Sequence, residues 1–125
     1  MTVGTFVLLS LAGGVGAVGR LLADAALTRG VPRRFPWGIF VVNVVGSFFL
    51  GFVTGLAQSS VLALPWLAVV GAGLLGGFTT FSTAMVDTVR LVAEREWGAA
   101  LANAVGMLAL TIAVAVAGIA LGGAL

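Results

Sequence analysis

Gly76-Gly77-Phe78-Thr79-Thr80-Phe81-Ser82-Thr83 interrupts the third of four apolar stretches in this chain. A helix crossing lipid has little reason to place two glycines and four hydroxyls at its centre. A break there frees backbone groups that hydrocarbon cannot satisfy. Such backbone persists only where protein buries it or a polar cavity meets it. The stretch therefore points to an ion or solute site near the bilayer midplane, built on a broken third helix.

Composition places the whole chain in a membrane. Of 125 residues, 61% are hydrophobic and 8% are charged, where soluble domains carry about 25% charged residues. The mean hydropathy is +1.24. There is no cysteine or histidine, which removes disulfides, thiolate chemistry and the usual transition-metal ligands. The net charge of +2 comes from six arginines and four acids. Five of the six arginines lie in or beside loops, so they speak of topology and not of a nucleic-acid partner. The start, Met1-Thr2-Val3-Gly4, lacks the positive region of a cleaved signal peptide.

Working outward, four stretches reach the roughly 20 residues that a spanning helix needs. They run over Val3–Leu27, Trp37–Ala57, Trp66–Val92 and Trp97–Leu121. Trp37, Trp66 and Trp97 stand at span starts, where indole rings favour the headgroup region. Pro32, Pro36 and Pro65 mark the loops. The expected fold is an all-α membrane protein, one four-span domain over residues 1–125. An even number of spans puts both termini on one side. That side also holds the Gln58–Leu64 loop and no arginine, while the other holds Arg29, Arg33, Arg34, Arg90 and Arg95. Because arginines stay cytoplasmic, both termini are expected outside a multi-pass protein of the cell (inner) membrane.

The polar residues inside the spans are few. Gly13, Gly16 and Gly19 recur at helical spacing and make a smooth contact stripe. Arg20 lies inside the end of the first span. It either snorkels to the cytoplasmic headgroups or stands as a cation at the mouth of an anion path, and Asp24, one turn on, could pair with it. Asn43 and Ser47 share a face of the second span. The amide serves either as interhelical glue or as a donor lining an aqueous track. Asn103 is expected to cap or bond locally, and Thr111 to bond the carbonyl four residues back.

A broken helix offers carbonyls to cations, and N–H groups and hydroxyls to anions. The electropositive edge of Phe81 also suits a small anion. The acids Asp24, Asp87, Glu94 and Glu96 all lie toward the arginine-rich ends, whereas the interior offers neutral donors: Asn43, Ser47, Thr79, Thr80, Ser82 and Thr83. An anion fits this set better than a cation. With no histidine, lysine or cysteine to form a nucleophile–base pair, an enzyme is not expected.

Three pieces of the chain resemble the small fluoride-channel family known as Fluc or CrcB. They are Gly13-Gly14-Val15-Gly16-Ala17-Val18-Gly19-Arg20, Asn43-Val44-Val45-Gly46-Ser47-Phe48 and Gly76-Gly77-Phe78-Thr79-Thr80-Phe81-Ser82-Thr83. The resemblance covers nearly the whole chain. It implies an antiparallel dimer with fluoride pores and passive fluoride export. It also implies a central sodium ion held by backbone carbonyls, here those of Gly76 and Thr79. By the same motif positions Phe81 becomes a pore phenylalanine, Ser82 and Thr83 a hydroxyl track, Asn43 a donor to fluoride and Arg20 a vestibule residue. Asp87 falls where family members place an acid.

Two positions depart from the family pattern. Ala84 stands where a second pore phenylalanine is common, and Met107 stands where a pore serine is common. Three functions therefore compete. The leading one is a fluoride-channel subunit, in a dimer with itself (dual topology) or with a homologue. The second is a non-conducting structural partner in a heterodimeric channel, which Ala84 and Met107 favour. The third is a small drug-cation antiporter, which requires a mid-membrane glutamate in the first span that this chain lacks.

Overall fold

The computed structural model describes residues 1–125. It is all-helical, with four helical runs long and apolar enough to span a membrane: Val3–Thr28, Trp37–Gln58, Leu64–Ala93 and Trp97–Gly123. The run ends differ by a few residues from the sequence reading, because caps and first turns extend them. Thr2 caps the first helix by accepting the Thr5 N–H at 3.1 Å. The third run starts at Leu64, with Pro65 in its first turn, where a missing N–H costs nothing.

In chain order the elements are α1 (Val3–Thr28), α2 (Trp37–Gln58), α3 (Leu64–Leu67), a π-helical stretch (Ala68–Leu75), α4 (Gly76–Phe78), α5 (Phe81–Ala93), α6 (Trp97–Leu101), a second π-helical stretch (Ala102–Gly106) and α7 (Met107–Gly123). Between α4 and α5, Thr79 (φ −78°, ψ 158°) and Thr80 (φ −151°, ψ 124°) are extended. The third run thus contains two residues that leave helical geometry. The π-helical stretches lie just before those residues and opposite Ala84 across the bundle. π-helical turns recur at functional sites.

Two glycine-mediated contacts assemble the bundle. α1 lies against the first π-helical stretch and α4. A Cβ on Gly16 would collide with the Leu74 carbonyl, and one on Gly77 with the Gly13 carbonyl. α2 lies against α7 in the same way, with Gly51 over the Ala115 carbonyl and Gly118 over the Phe48 carbonyl. Backbones approach this closely only where side chains are absent, which is the usual packing solution in lipid.

Only 19 of 125 residues are buried, so most apolar side chains face outward, as a lipid-facing or partner-facing surface requires. Trp37, Trp66 and Trp97 are exposed at the helical starts, consistent with interfacial anchoring. Gly30 (φ 74°), Ser60 (φ 63°) and Arg95 (φ 59°) take left-handed conformations in the loops, where the chain reverses between runs.

Candidate functional site

The extended Thr79-Thr80 pair creates the site by leaving peptide groups without helical partners. The Thr80 N–H would normally bond the Gly76 carbonyl four residues back. It instead donates to Asn43 Oδ1 at 2.8 Å. Asn43 Nδ2 donates to the Thr80 carbonyl at 2.9 Å and also contacts Met107 Sδ at 3.3 Å. One side chain from α2 therefore holds both polar groups of Thr80, as a neighbouring β-strand would. Only one amide orientation satisfies this donor–acceptor pair, which fixes Oδ1 and Nδ2. Asn43 is buried, as a membrane amide with satisfied partners can be.

Thr80 is also the N-cap of α5. Its Oγ1 accepts the Thr83 N–H at 3.3 Å, donates to Thr83 Oγ1 at 3.2 Å and lies 3.3 Å from Ser82 Oγ. Threonine is favoured here because its hydroxyl satisfies an orphan donor of the first helical turn. The result is a cluster of three hydroxyls at the start of α5.

Two cavities flank this turn. The first, about 350 Å³, is lined by Asn43, Ser47, Thr79, Thr80, Phe81, Met107 and neighbours. The second, also about 350 Å³, is lined by Asp24, Thr28, Arg33, Thr83, Asp87, Arg90 and neighbours. Thr80 belongs to one wall and Thr83 to the other, so their hydroxyl contact lies between the two cavities. Arg90 sits 4.0 Å from Asp87 and 3.8 Å from Glu94, so the second cavity carries both signs of charge.

The residues singled out in the sequence divide as follows. Asn43, Ser47 and Phe81 line the first cavity and Thr83 lines the second. Ser82 is exposed and reaches the site through Thr80. Phe81 is 78% exposed, so this chain leaves one side of its ring open. Arg20 lines neither cavity; its Nη1 donates to the Thr79 carbonyl at 3.2 Å. The Arg20–Asp24 ion pair that the helical spacing would allow does not form. Asp24 instead lies over Gly38, where a Cβ would overlap its carboxylate.

Asn103 is likewise not a local cap. It is fully buried, and its Nδ2 donates to the Ala84 carbonyl at 3.1 Å and to Thr88 Oγ1 at 2.9 Å. Sequence reasoning missed this reach across to α5. An asparagine in an otherwise apolar span was the available signal, because such an amide must find partners. Thr111 bonds the Leu108 carbonyl at 3.0 Å, three residues back instead of four, and joins the wall of the first cavity.

The Gly76 carbonyl does not receive the Thr80 N–H, which goes to Asn43. The Thr79 carbonyl accepts from Arg20 and keeps a second lone pair. Neutral carbonyls are the ligands that hard cations prefer, so the donor set fits such an ion, with Arg20 as a nearby competitor of like charge.

The profile of the family described as CrcB-like protein, Camphor Resistance (CrcB), matches residues 7–119. Among similar proteins is the fluoride-specific ion channel FluC 1 of Leifsonia xyli subsp. xyli, 47% identical over 114 residues, covering 91% of this chain and 83% of that protein. The FluC 1 channel of Symbiobacterium thermophilum is 44% identical over 124 residues, covering 94% and 97%. The FluC 2 channel of Mycobacterium bovis is 41% identical over 118 residues, covering 94% and 90%. With four apolar helical runs and a profile match across nearly its whole length, the chain is a multi-pass membrane protein and belongs to the CrcB family.

Proposed function

We propose that the chain is a subunit of a fluoride-selective ion channel that exports fluoride passively and so protects against its toxicity. The observation that carries this is the hydroxyl cluster at the first turn of α5, where Thr80, on the wall of one cavity, meets Thr83, on the wall of the other, at 3.2 Å. Fluoride is small and holds its water tightly. A selective path must replace that water with closely spaced donors, and the hydroxyls of Ser47, Ser82 and Thr83 are such donors, while Thr80 gives its single O–H to Thr83. The electropositive edge of Phe81 adds to the wall beside Asn43. Arg20 stands toward the arginine-rich end, which this reading places in the cytoplasm with both termini outside the inner membrane.

In this reading the third helix is broken near mid-membrane at Thr79-Thr80, and the subunit forms an antiparallel dimer in which a partner covers the open face of Phe81. The carbonyls of Gly76 and Thr79, facing the same pair from the partner, would hold a structural sodium ion at the centre. Replacing sodium with N-methylglucamine should then lower dimer stability in detergent; an unchanged thermal midpoint would remove the ion from the scheme.

The functional test is efflux from liposomes followed with a fluoride electrode, with chloride efflux measured in parallel. Fluoride release at least tenfold faster than chloride is the expected result, and equal permeation of the two would overturn the reading.

A second reading rests on the Met107 thioether, which contacts Asn43 inside the first cavity, and on Ala84. These suit a subunit that supports a homologous conducting partner in a heterodimer. The one-sided arginines favour a single orientation and so an oppositely biased partner. A terminal tag probed from both membrane faces separates the cases: equal labelling together with efflux from the lone chain means a homodimer.

A further inference from the structure

We propose that Ser47 is the hydroxyl with which this chain meets an anion in the first cavity, and that it sets selectivity there beside the Asn43 amide one turn away. The inference rests on the fluoride reading of the same site and deepens it by singling out one contact. It follows from where each hydroxyl sends its only O–H. Ser10, Thr28, Thr54, Thr88 and Thr111 each donate to a carbonyl three or four residues back in their own helix, the usual habit of hydroxyls within helices. Ser47 stands in the middle of α2, lines the first cavity and donates to no group of the chain. The other hydroxyls on that wall are committed. Thr79 donates to the Leu75 carbonyl at 3.0 Å, Thr80 to Thr83 Oγ1 at 3.2 Å and Thr111 to the Leu108 carbonyl at 3.0 Å. Ser47 therefore holds the one uncommitted O–H among the hydroxyls that line this cavity.

Asn43 and Ser47 are four residues apart on one face of α2, a spacing that puts Cβ atoms about 5–6 Å from each other. One Asn43 N–H is held by the Thr80 carbonyl at 2.9 Å, and the other rests on Met107 Sδ at 3.3 Å. A thioether is a weak acceptor, so a small anion between the two side chains takes that N–H from sulfur and leaves the Thr80 peptide paired. It gains the Ser47 O–H without breaking any bond. Met107, on the opposite wall, has no donor to add. The pair is neutral, so it favours an anion by hydrogen-bond strength and not by charge, and fluoride accepts stronger hydrogen bonds than chloride does. Removing the Ser47 oxygen takes away a donor and leaves the packing of α2 as it was.

The serines of the chain are Ser10, Ser47, Ser59, Ser60 and Ser82, so selective ¹³Cβ-serine labelling gives a short set of signals. Ser10 and Ser59, which donate to carbonyls of their own helices, serve as internal controls, and Ser47→Ala assigns the Ser47 signal by its loss. The full chain in nanodiscs would be titrated with sodium fluoride against sodium chloride at equal ionic strength. The expected result is a Ser47 shift with fluoride and none with chloride, while Ser10 and Ser59 stay fixed. In liposomes, Ser47→Ala should slow fluoride efflux by about tenfold, as the loss of one hydrogen bond predicts, with the thermal midpoint of the purified protein unchanged. Ser47→Cys keeps the side-chain volume with a weak donor, so its efflux should fall as well.

A fluoride shift at Ser82 with Ser47 fixed would overturn the assignment and leave the fluoride reading intact. So would Ser47→Ala efflux equal to that of the parent protein. Efflux and thermal midpoint falling together in Ser47→Ala would make Ser47 a packing residue and overturn the proposal. Fluoride shifts at no serine, together with no fluoride efflux, would overturn the fluoride reading and this assignment with it. If Ser47→Ala does not fold, Ser47→Cys assigns the signal and the parent titration still decides.

Discussion

Arg20 Nη1 donates to the carbonyl of Thr79 at 3.2 Å, joining residues 59 apart in the chain. The guanidinium therefore answers one of the carbonyls that the extended Thr79-Thr80 segment sets free. Arginine suits this position because its several donors can serve a carbonyl and still reach the headgroup region.

Replacing Arg20 with leucine should accordingly act on stability as well as on ion passage. A charge-assisted bond to a half-buried carbonyl contributes about 1.5–3 kcal/mol net, so the thermal midpoint of the purified protein should fall by several degrees. Arg20→Lys should retain the charge and lose part of the bond, giving an intermediate midpoint. Midpoints for Leu and Lys equal to that of the parent protein would mean that the Thr79 contact carries no stability.

The glycine contacts give a sharper contrast. A Cβ on Gly77 would collide with the Gly13 carbonyl, whereas one on Gly14 meets nothing within 4 Å. Gly77→Ala should cost about 1–3 kcal/mol through forced separation of α1 from α4, and Gly14→Ala should be neutral or slightly stabilising through helix propensity. Chemical unfolding of the two variants in detergent checks the difference. Equal stabilities would show that the α1 contact yields easily.

The four spans were legible because length and apolarity are local properties, and the glycine stripe because its spacing is helical. The extended residues Thr79 and Thr80 fall inside the stretch that its glycines and hydroxyls singled out. The partners of the polar side chains were not legible. Asn43 meets Thr80 and Met107, 37 and 64 residues away, and Asn103 meets Ala84 and Thr88 on α5. Sequence shows that a membrane amide needs partners, but only the packing of α2 and α7 against the third run selects them. Arg20 illustrates the same point, since helical spacing suggested Asp24 and tertiary packing supplied Thr79.

Asn103 should prove structural. It is fully buried, it donates to the Ala84 carbonyl and Thr88 Oγ1, and its Oδ1 has no partner. The lost bonds are partly compensated, because Thr88 Oγ1 also donates to the Ala84 carbonyl at 2.8 Å. Asn103→Ala should therefore cost about 1–3 kcal/mol, and Asn103→Asp more, since it places a carboxylate against the Ala84 carbonyl. Denaturant midpoints measured on both variants check the order. An aspartate variant as stable as the parent protein would show that water reaches this site.

Ala84 and Met107 should be energetically coupled. Both are buried, and together with Ile39 they form one apolar cluster beside the first cavity. Ala84 is 1% exposed and lines the first cavity beside Met107, so a phenylalanine there competes with the methionine side chain for space. Ala84→Phe alone should overpack the cluster and cost about 1–3 kcal/mol. Met107→Ser alone removes apolar volume and also takes the thioether from Asn43 Nδ2. In the double variant the ring can occupy the space that the methionine vacates, and the serine hydroxyl can accept from Asn43. The two changes should then cost less together than the sum of the singles, with a coupling of about 0.5–3 kcal/mol. The same double variant restores a ring and a hydroxyl to the wall of the first cavity, so its fluoride efflux should exceed that of either single variant. Additive stabilities would mean that residues 84 and 107 do not share space, and efflux from the double variant no greater than from the singles would mean that these positions do not limit conduction.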